Sequence, residues 1–402
     1  MSPSETCAAA EDEVACRQAF LEDVFGPLHR AEQRRWARAY LLGLIQASGR
    51  KTPRRIARSN PLPPAAAHGL HQFINASPWD WEPVRRRLAL WVAGRTPPHA
   101  WTVTELVIPK RGEHSVGVHR CLDAQSGRTV NCQRAVGLFL VTQAHCYPVD
   151  WRLVLDESWL QDPERRLRAR IPDAETARPL GAHVLDYAAD IAARPRLPPV
   201  PWVLDLTPCT SAGRVLAGFA GLRLDVVCEV EPGQVVLAGR RPQAVTTVGR
   251  LMETRYARDA HLTAAQAPAC RARTAPIRAY AGTVALPRPG GFRGGGANRY
   301  RILEVRDPTG RHPARYWVSS LTDRSVDETV ALVRSRVAVR SAVATLREQF
   351  GVLDFAGRSF PGWHHHMTMA SAAYAYQHLH AAAGPLTQVP APVPAHPARA
   401  AS

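Results

Sequence analysis

Lysine is nearly absent from this sequence. Of 51 basic side chains only Lys51 and Lys110 are lysine, and the rest are arginine. A GC-rich coding sequence can produce that bias, together with abundant Ala and Pro. It does not by itself produce a shortage of acids. There are 34 acidic side chains, and the formal net charge is +17. A balance this positive points to a polyanionic partner, nucleic acid first and an anionic membrane surface second. Long apolar runs are missing too. The longest, around 135–142, falls far short of the ~20 residues of a transmembrane helix, so no membrane span is expected. The eight cysteines contain no C-x-x-C pair, which argues against zinc ribbons. Their number over this length argues against a disulfide scaffold. They read as reduced, mostly buried thiols. The first twenty residues carry Glu5, Glu11, Asp12 and Glu13, unlike a signal peptide. A cytoplasmic protein is expected, nucleoid-associated if its partner is DNA, with two to three domains at roughly 150 residues each.

The charge is unevenly placed. Segment 1–23 is acidic, whereas 24–95 and 239–300 are strongly basic. The tail 381–402 holds five prolines, one charge and almost no large apolar residues, so it should be disordered. Residues 28–47 carry apolar positions at helical spacing. A loop over 49–64 follows, then a short helix over 65–74. In SPWDW, Ser77 suits an N-cap and Pro78 the first turn of a further helix. Segment 24–95 therefore reads as a small basic all-helical unit.

From Trp101 the period changes. Strands are expected over 101–109, 114–119 and 134–142, then a helix over 176–193 and a two-sided strand over 199–206 ending at Asp205. A helix (211–219) and a strand (222–230) follow. Three meander strands and then βα units are the order of an α/β, RNase-H-like mixed sheet. The stretch 233–320 interrupts it as a β-rich insertion, with strands at 233–238, 300–305 and 314–319. Long helices return at 326–349 and 362–383. The core thus spans 96–380.

Several motifs then agree in order along residues 20–380. They are AEQRRWARAYLLGLI (31–45), SPWDWEPVRRRL (77–88), SVGV (115–118), NCQ (131–133), DWRLVLDESWLQDPERR (150–166), YWVSSL (316–321) and FAGRSFPGWHHH (355–366). Together they resemble DDE-type insertion-sequence transposases, in the branch founded on insertion sequence seven-oh-one. The resemblance implies cleavage and transfer of DNA strands at element ends, by subunits paired on DNA as a homodimer, with no membrane or small-molecule substrate. It also implies three carboxylates holding two Mg²⁺ ions about 4 Å apart.

Carried onto this sequence, the resemblance places the first carboxylate at Thr104, with Glu105 at the second acidic position of that strand. Adjacent strand residues face opposite ways. Glu105 would need a bulge or register change to replace its neighbour, or would serve directly if the ligand position is the second one. The second carboxylate is Asp205, here followed by Thr207 and Pro208 rather than small residues. The third falls on Arg340, which repels Mg²⁺. Glu348 lies about 12 Å further along the helix at 1.5 Å per residue. At most Asp205 and Glu105 remain as catalytic and metal-binding carboxylates, so an impaired transposase is expected, with Mg²⁺ as cofactor only if it is active. The alternatives are a DNA-binding protein that does not cut, a residual metal nuclease, and a non-specific RNA-binding protein. Arg34, Arg35, Arg38, Lys51, Arg54, Arg55 and Arg58 are the main candidate phosphate contacts, with Lys110, Arg111 and Arg358 beside them. His364, His365 and His366 read as packing and phosphate contact more than as a metal site. Trp79 and Trp81 read as core anchors more than as base-stacking platforms.

Overall fold

The computed structural model describes residues 15–380 apart from 61, 64, 123–126, 144, 210–211, 240–243, 256–259, 264–276, 288–298 and 307–312. The expected disordered tail, most of the acidic N-terminal segment and much of the Gly-rich insertion lie outside the described residues.

Helix α1 covers 15–24. Four helices follow: α2 (Ala31–Gln46), α3 (Pro53–Ser59), α4 (Ala66–Asn75) and α5 (Trp81–Arg95). The expected loop after α2 contains α3, because Thr52 caps Arg55 N and Pro53 supplies a pre-set first turn. Asp80, not Ser77, caps α5 by accepting from Glu82 N. The Ser77 hydroxyl instead accepts from Gln33 Nε2 at 3.1 Å.

The sheet opens with β1 (Pro98–Pro109), β2 (His119–Leu122), β3 (Thr129–Thr142) and β4 (Cys146–Val154). The strand expected over 114–119 is a turn for most of its length. Gly117 has φ +73° and lies against Leu153, where a Cβ would be tight. Pairing therefore starts only at His119. Strand β4 was hidden from the sequence reading by Pro148, which removes a ladder donor. The sheet accommodates it opposite a register shift between Leu138 and Phe139.

Three short helices follow: α6 (Glu157–Leu160), α7 (Pro163–Ala169) and α8 (Leu180–Ala192). Then come β5 (Trp202–Asp205), α9 (Ala212–Gly221) and β6 (Val226–Val230). Strand β1 pairs antiparallel with β3, β3 with β4, and β1, β5 and β6 run parallel. Three antiparallel strands leading into two parallel ones is the order expected of an RNase-H-like core. The insertion adds β7 (Val235–Ala238), β8 (Ala244–Thr247), α10 (Val248–Arg255), β9 (Ala260–Thr263), β10 (Ile277–Ala285), β11 (Arg299–Arg306) and β12 (Arg315–Ser319). It continues the same sheet beyond β6 in the order β12, β11, β10, β7, β8.

Helix α11 (Val326–Gln349) starts in a Ser325–Glu328 capping box and packs on β1, β5 and β6. Helix α12 (Phe360–His380) is buried almost all round, between β4 and the helices α2, α4 and α5. Small residues on it, Ala370 to Ala373 and Ala375, let these neighbours approach. Through α12 the N-terminal helices and the sheet share one hydrophobic core, so no break in packing falls at residue 95.

The cysteine reading needs correction. Cys121 and Cys132 form a disulfide, because pairing of β2 with β3 brings their Cα atoms to 6.5 Å. Cys146 and Cys228 are buried thiols as expected, and burial raises both. No helix among the described residues is long and apolar enough to cross a membrane.

Candidate active site and basic surface

Strand register brings two expected positions and one unexpected residue into one row. Thr102 pairs with Val203, so counting two residues along each strand sets Thr104 level with Asp205. Asp205 in turn pairs with Glu229 on β6. Thr104, Asp205 and Glu229 therefore lie side by side on three parallel strands.

The row meets α11 at Arg336 rather than at Arg340. Arg336 Nη2 donates to Asp205 Oδ2 at 2.6 Å, and its Nη1 donates to Glu229 Oε2. Arg315 on β12 holds the other side of Glu229, with Nε to Oε1 at 2.5 Å and Nη2 to Oε2. Asp205 Oδ1 accepts from the Thr207 backbone N at 3.0 Å and from its hydroxyl at 2.5 Å. Thr207, an oddity in the motif, thus completes the solvation of the carboxylate. Burial raises the Asp205 pKa, but Arg336 and Thr207 outweigh it and the net shift is downward. Trp317, fully buried, lies under both guanidiniums, 5.5 Å from Arg315 and 5.8 Å from Arg336.

Arg340 is exposed one turn further on. Partial burial and then the positive charges of Arg315 and Arg336 lower its pKa. Three guanidiniums thus surround two carboxylates, a field that repels a divalent cation. Glu105 lines the same cavity of about 220 Å³ as Asp205 and Arg336. Its carboxylate, however, is committed to Arg134 on β3. Every carboxylate oxygen of Asp205 and Glu229 already has a donor from the chain, whereas a two-ion site needs those oxygens for the metal. No group of three or more His, Cys, Asp or Glu among the described residues could hold a metal ion. The donor set does not fit a Mg²⁺ pair.

Glu229, Arg315 and Arg336 were missed by the sequence reading. A lone acid inside the apolar strand VVCEV was the available signal for Glu229, since a buried charge needs a partner.

The candidate phosphate contacts divide. Arg34, Arg35, Arg38, Arg54, Arg55, Arg58, Arg111 and Arg358 are exposed. Arg34 also donates to the Leu28 carbonyl at 2.5 Å, and Arg35 lies 3.9 Å from Glu32. Lys51 is a correction. It is 4 % exposed, its Nζ donates to the Ala47 carbonyl, and its backbone N donates to Asp354 at 2.8 Å. Gly351, at φ +66°, admits the Lys51 chain where a Cβ would clash. Lys110 Nζ donates to the Phe355 carbonyl at 2.7 Å, and burial pushes its pKa down to about 8. Both lysines brace the segment 351–355 rather than offer a free cation.

The histidine triplet is interior. His365 lies 2.8 Å from the carbonyls of Ile74 and Trp79 and stacks on Trp79 at 3.9 Å. His366 bonds Tyr40 OH and the Gly351 carbonyl. Burial leaves no route to phosphate for these two, and Trp79 anchors the core beside them. The Ser359 hydroxyl accepts from Gly362 N and from Arg170, at the start of α12.

Residues 23–284 match the family described as DDE superfamily endonuclease, most of the chain from α1 into the insertion. The chain belongs to this family. Within this DDE superfamily endonuclease, the match takes in the strands carrying Thr104, Asp205 and Glu229 and ends before α11. No curated protein matches the chain.

Proposed function

We propose that this DDE superfamily member is a transposase-type protein, of the insertion sequence seven-oh-one branch, that binds DNA without cutting it. The observation carrying this reading is the pairing of Asp205 and Glu229 by Arg336, which puts a fixed cation where the family chemistry needs metal. Ordered motifs along the whole chain and the exposed arginines of α2 and α3 support DNA as the partner. Arg34, Arg35 and Arg38 on one helix and Arg54, Arg55 and Arg58 on the next serve as phosphate contacts.

The test is incubation of the chain with labelled DNA of the element's own ends, in Mg²⁺ and then in Mn²⁺. A retarded complex without nicked or joined strands is expected. Cleavage that disappears in Asp205→Asn would overturn the reading, as would equal affinity for RNA and unrelated duplex. A second measurement separates surface from interior cations. Arg54→Ala with Arg58→Ala is expected to flatten the slope of log affinity against log salt by about 2, since each phosphate contact contributes about 0.9. Lys51→Met is expected to leave that slope unchanged while lowering stability.

A further inference from the structure

A cavity of about 820 Å³ lies between α5, β4, segment 174–178, the α8 end and the start of α12. It shares no lining residue with the Asp205 cavity. One wall is aromatic. Trp81 stacks on His364 with centroids 4.6 Å apart, and Phe360 lies 4.4 Å from the same imidazole.

Arg85 fixes the protonation of that imidazole. A guanidinium N–H only donates, so His364 Nδ1 accepts from Arg85 Nη2 at 3.2 Å. The ring proton then sits on Nε2. His364 is 5 % exposed, and its Nε2 has no hydrogen-bond partner in the chain. His183, on the same cavity, has a buried Nδ1 in the same condition. Both nitrogens are enclosed by the chain, and the ring surface left to the cavity is that of half-buried Trp81, which suits a planar ligand.

The cavity also offers cations. Arg85, Arg152 and Arg178 are committed to Asp150, Asp186 and Asp190. Arg86, Arg194 and Arg196 line the same cavity and carry no carboxylate partner among the described residues. Arg86 and Arg196 are exposed and Arg194 is half-buried. Guanidinium groups placed in this way match a phosphate in charge and in fork geometry.

We propose that this cavity binds a nucleotide, its base against Trp81 and its phosphate held by Arg86, Arg194 and Arg196. The nucleotide comes free from solution or is turned out of a DNA strand. Only the second source rests on the DNA-binding reading above.

The probe is deoxyadenosine monophosphate, titrated into the full chain by calorimetry, with inorganic phosphate as the comparison. A second arm uses duplex DNA carrying 2-aminopurine, whose emission rises when the base is unstacked, with anisotropy following duplex binding separately. The free-nucleotide source predicts saturable binding of the monophosphate, roughly tenfold or more tighter than phosphate, and roughly tenfold weakened in Arg194→Ala/Arg196→Ala. The DNA source predicts an emission rise that this double variant abolishes while anisotropy still reports the complex. The proposal is overturned if neither signal occurs, if phosphate binds as tightly as the nucleotide in the first arm, or if the double variant behaves as the parent. Failure of duplex binding by anisotropy alone counts against the DNA reading and leaves the free-nucleotide result decisive.

Discussion

Arg336→Ala is expected to destabilise the protein by about 3–5 kcal/mol at neutral pH, the cost of breaking a buried ion pair from one side. The side chains of Arg336, Glu229 and Asp205 are 18 %, 10 % and 30 % exposed, so solvent screens the loss only in part. The variant leaves two register-paired carboxylates with Arg315 alone. The loss should shrink on acidification. Asp205, held below its ordinary pKa in the parent, contributes stability above pH ~4 that is lost as pH falls through its folded value. The variant lacks Arg336 as a source of that contribution. Urea denaturation at pH 7 and pH 4 measures both effects. A change under about 1 kcal/mol at pH 7 would mean that the pairing is a weak surface contact. The same variant also tests the metal argument. With the guanidinium gone, Mn²⁺ affinity by paramagnetic titration should rise above that of the parent, and an unchanged affinity would mean that Arg336 is not what excludes the ion.

Acid should destabilise the protein well before the ordinary carboxylates protonate. Burial lowers the His365 and His366 pKa values to about 4, despite their carbonyl hydrogen bonds, and both residues are 1 % exposed. The unfolded chain titrates them near pH 6.5. Above that pH both states are neutral and the full stability is present. Between about pH 6 and 4.5 the unfolded state binds about two more protons at these two positions than the native state, and His183, His364, His378 and His380, all lowered by burial, add to the difference. His365 and His366 alone should lower stability by about 2.7 kcal/mol per pH unit there, a fall that levels off below about pH 4. Denaturation midpoints at half-unit steps from pH 7 to 4 give the slope. A flat profile through that window would place these imidazoles in contact with water. His366→Gln is expected to reduce the slope by about 1.4 kcal/mol per pH unit, because it removes one proton from the difference.

Much of the fold was legible. α11 covers the expected 326–349, and β1, β5 and the insertion strand β12 lie where strands were expected. The errors have local causes. Gly117 turns the chain where alternation suggested a strand, Pro148 concealed β4, and Thr52–Pro53 nucleated a helix in a loop-like segment. The candidate site was half legible. Asp205 stood at a strand end, and Thr104 and Arg340 marked a departure from the family pattern. Whether those departures leave room for a metal depended on Glu229 and Arg336, which no motif singled out.

The sequence by itself determined the family, part of the element order and the excess of arginine, because these are carried by residue identity and spacing along the chain. The tertiary structure alone decided which charges meet. Asp205 and Glu229 are 24 positions apart, and Arg336 is more than a hundred further on. Parallel pairing of β5 with β6, and the pitch of α11 across them, set these three within hydrogen-bond distance. Packing likewise turned Lys51 and the histidines inward and left the arginines of α2 and α3 outside. Burial is a property of neighbours, and the linear pattern does not contain it.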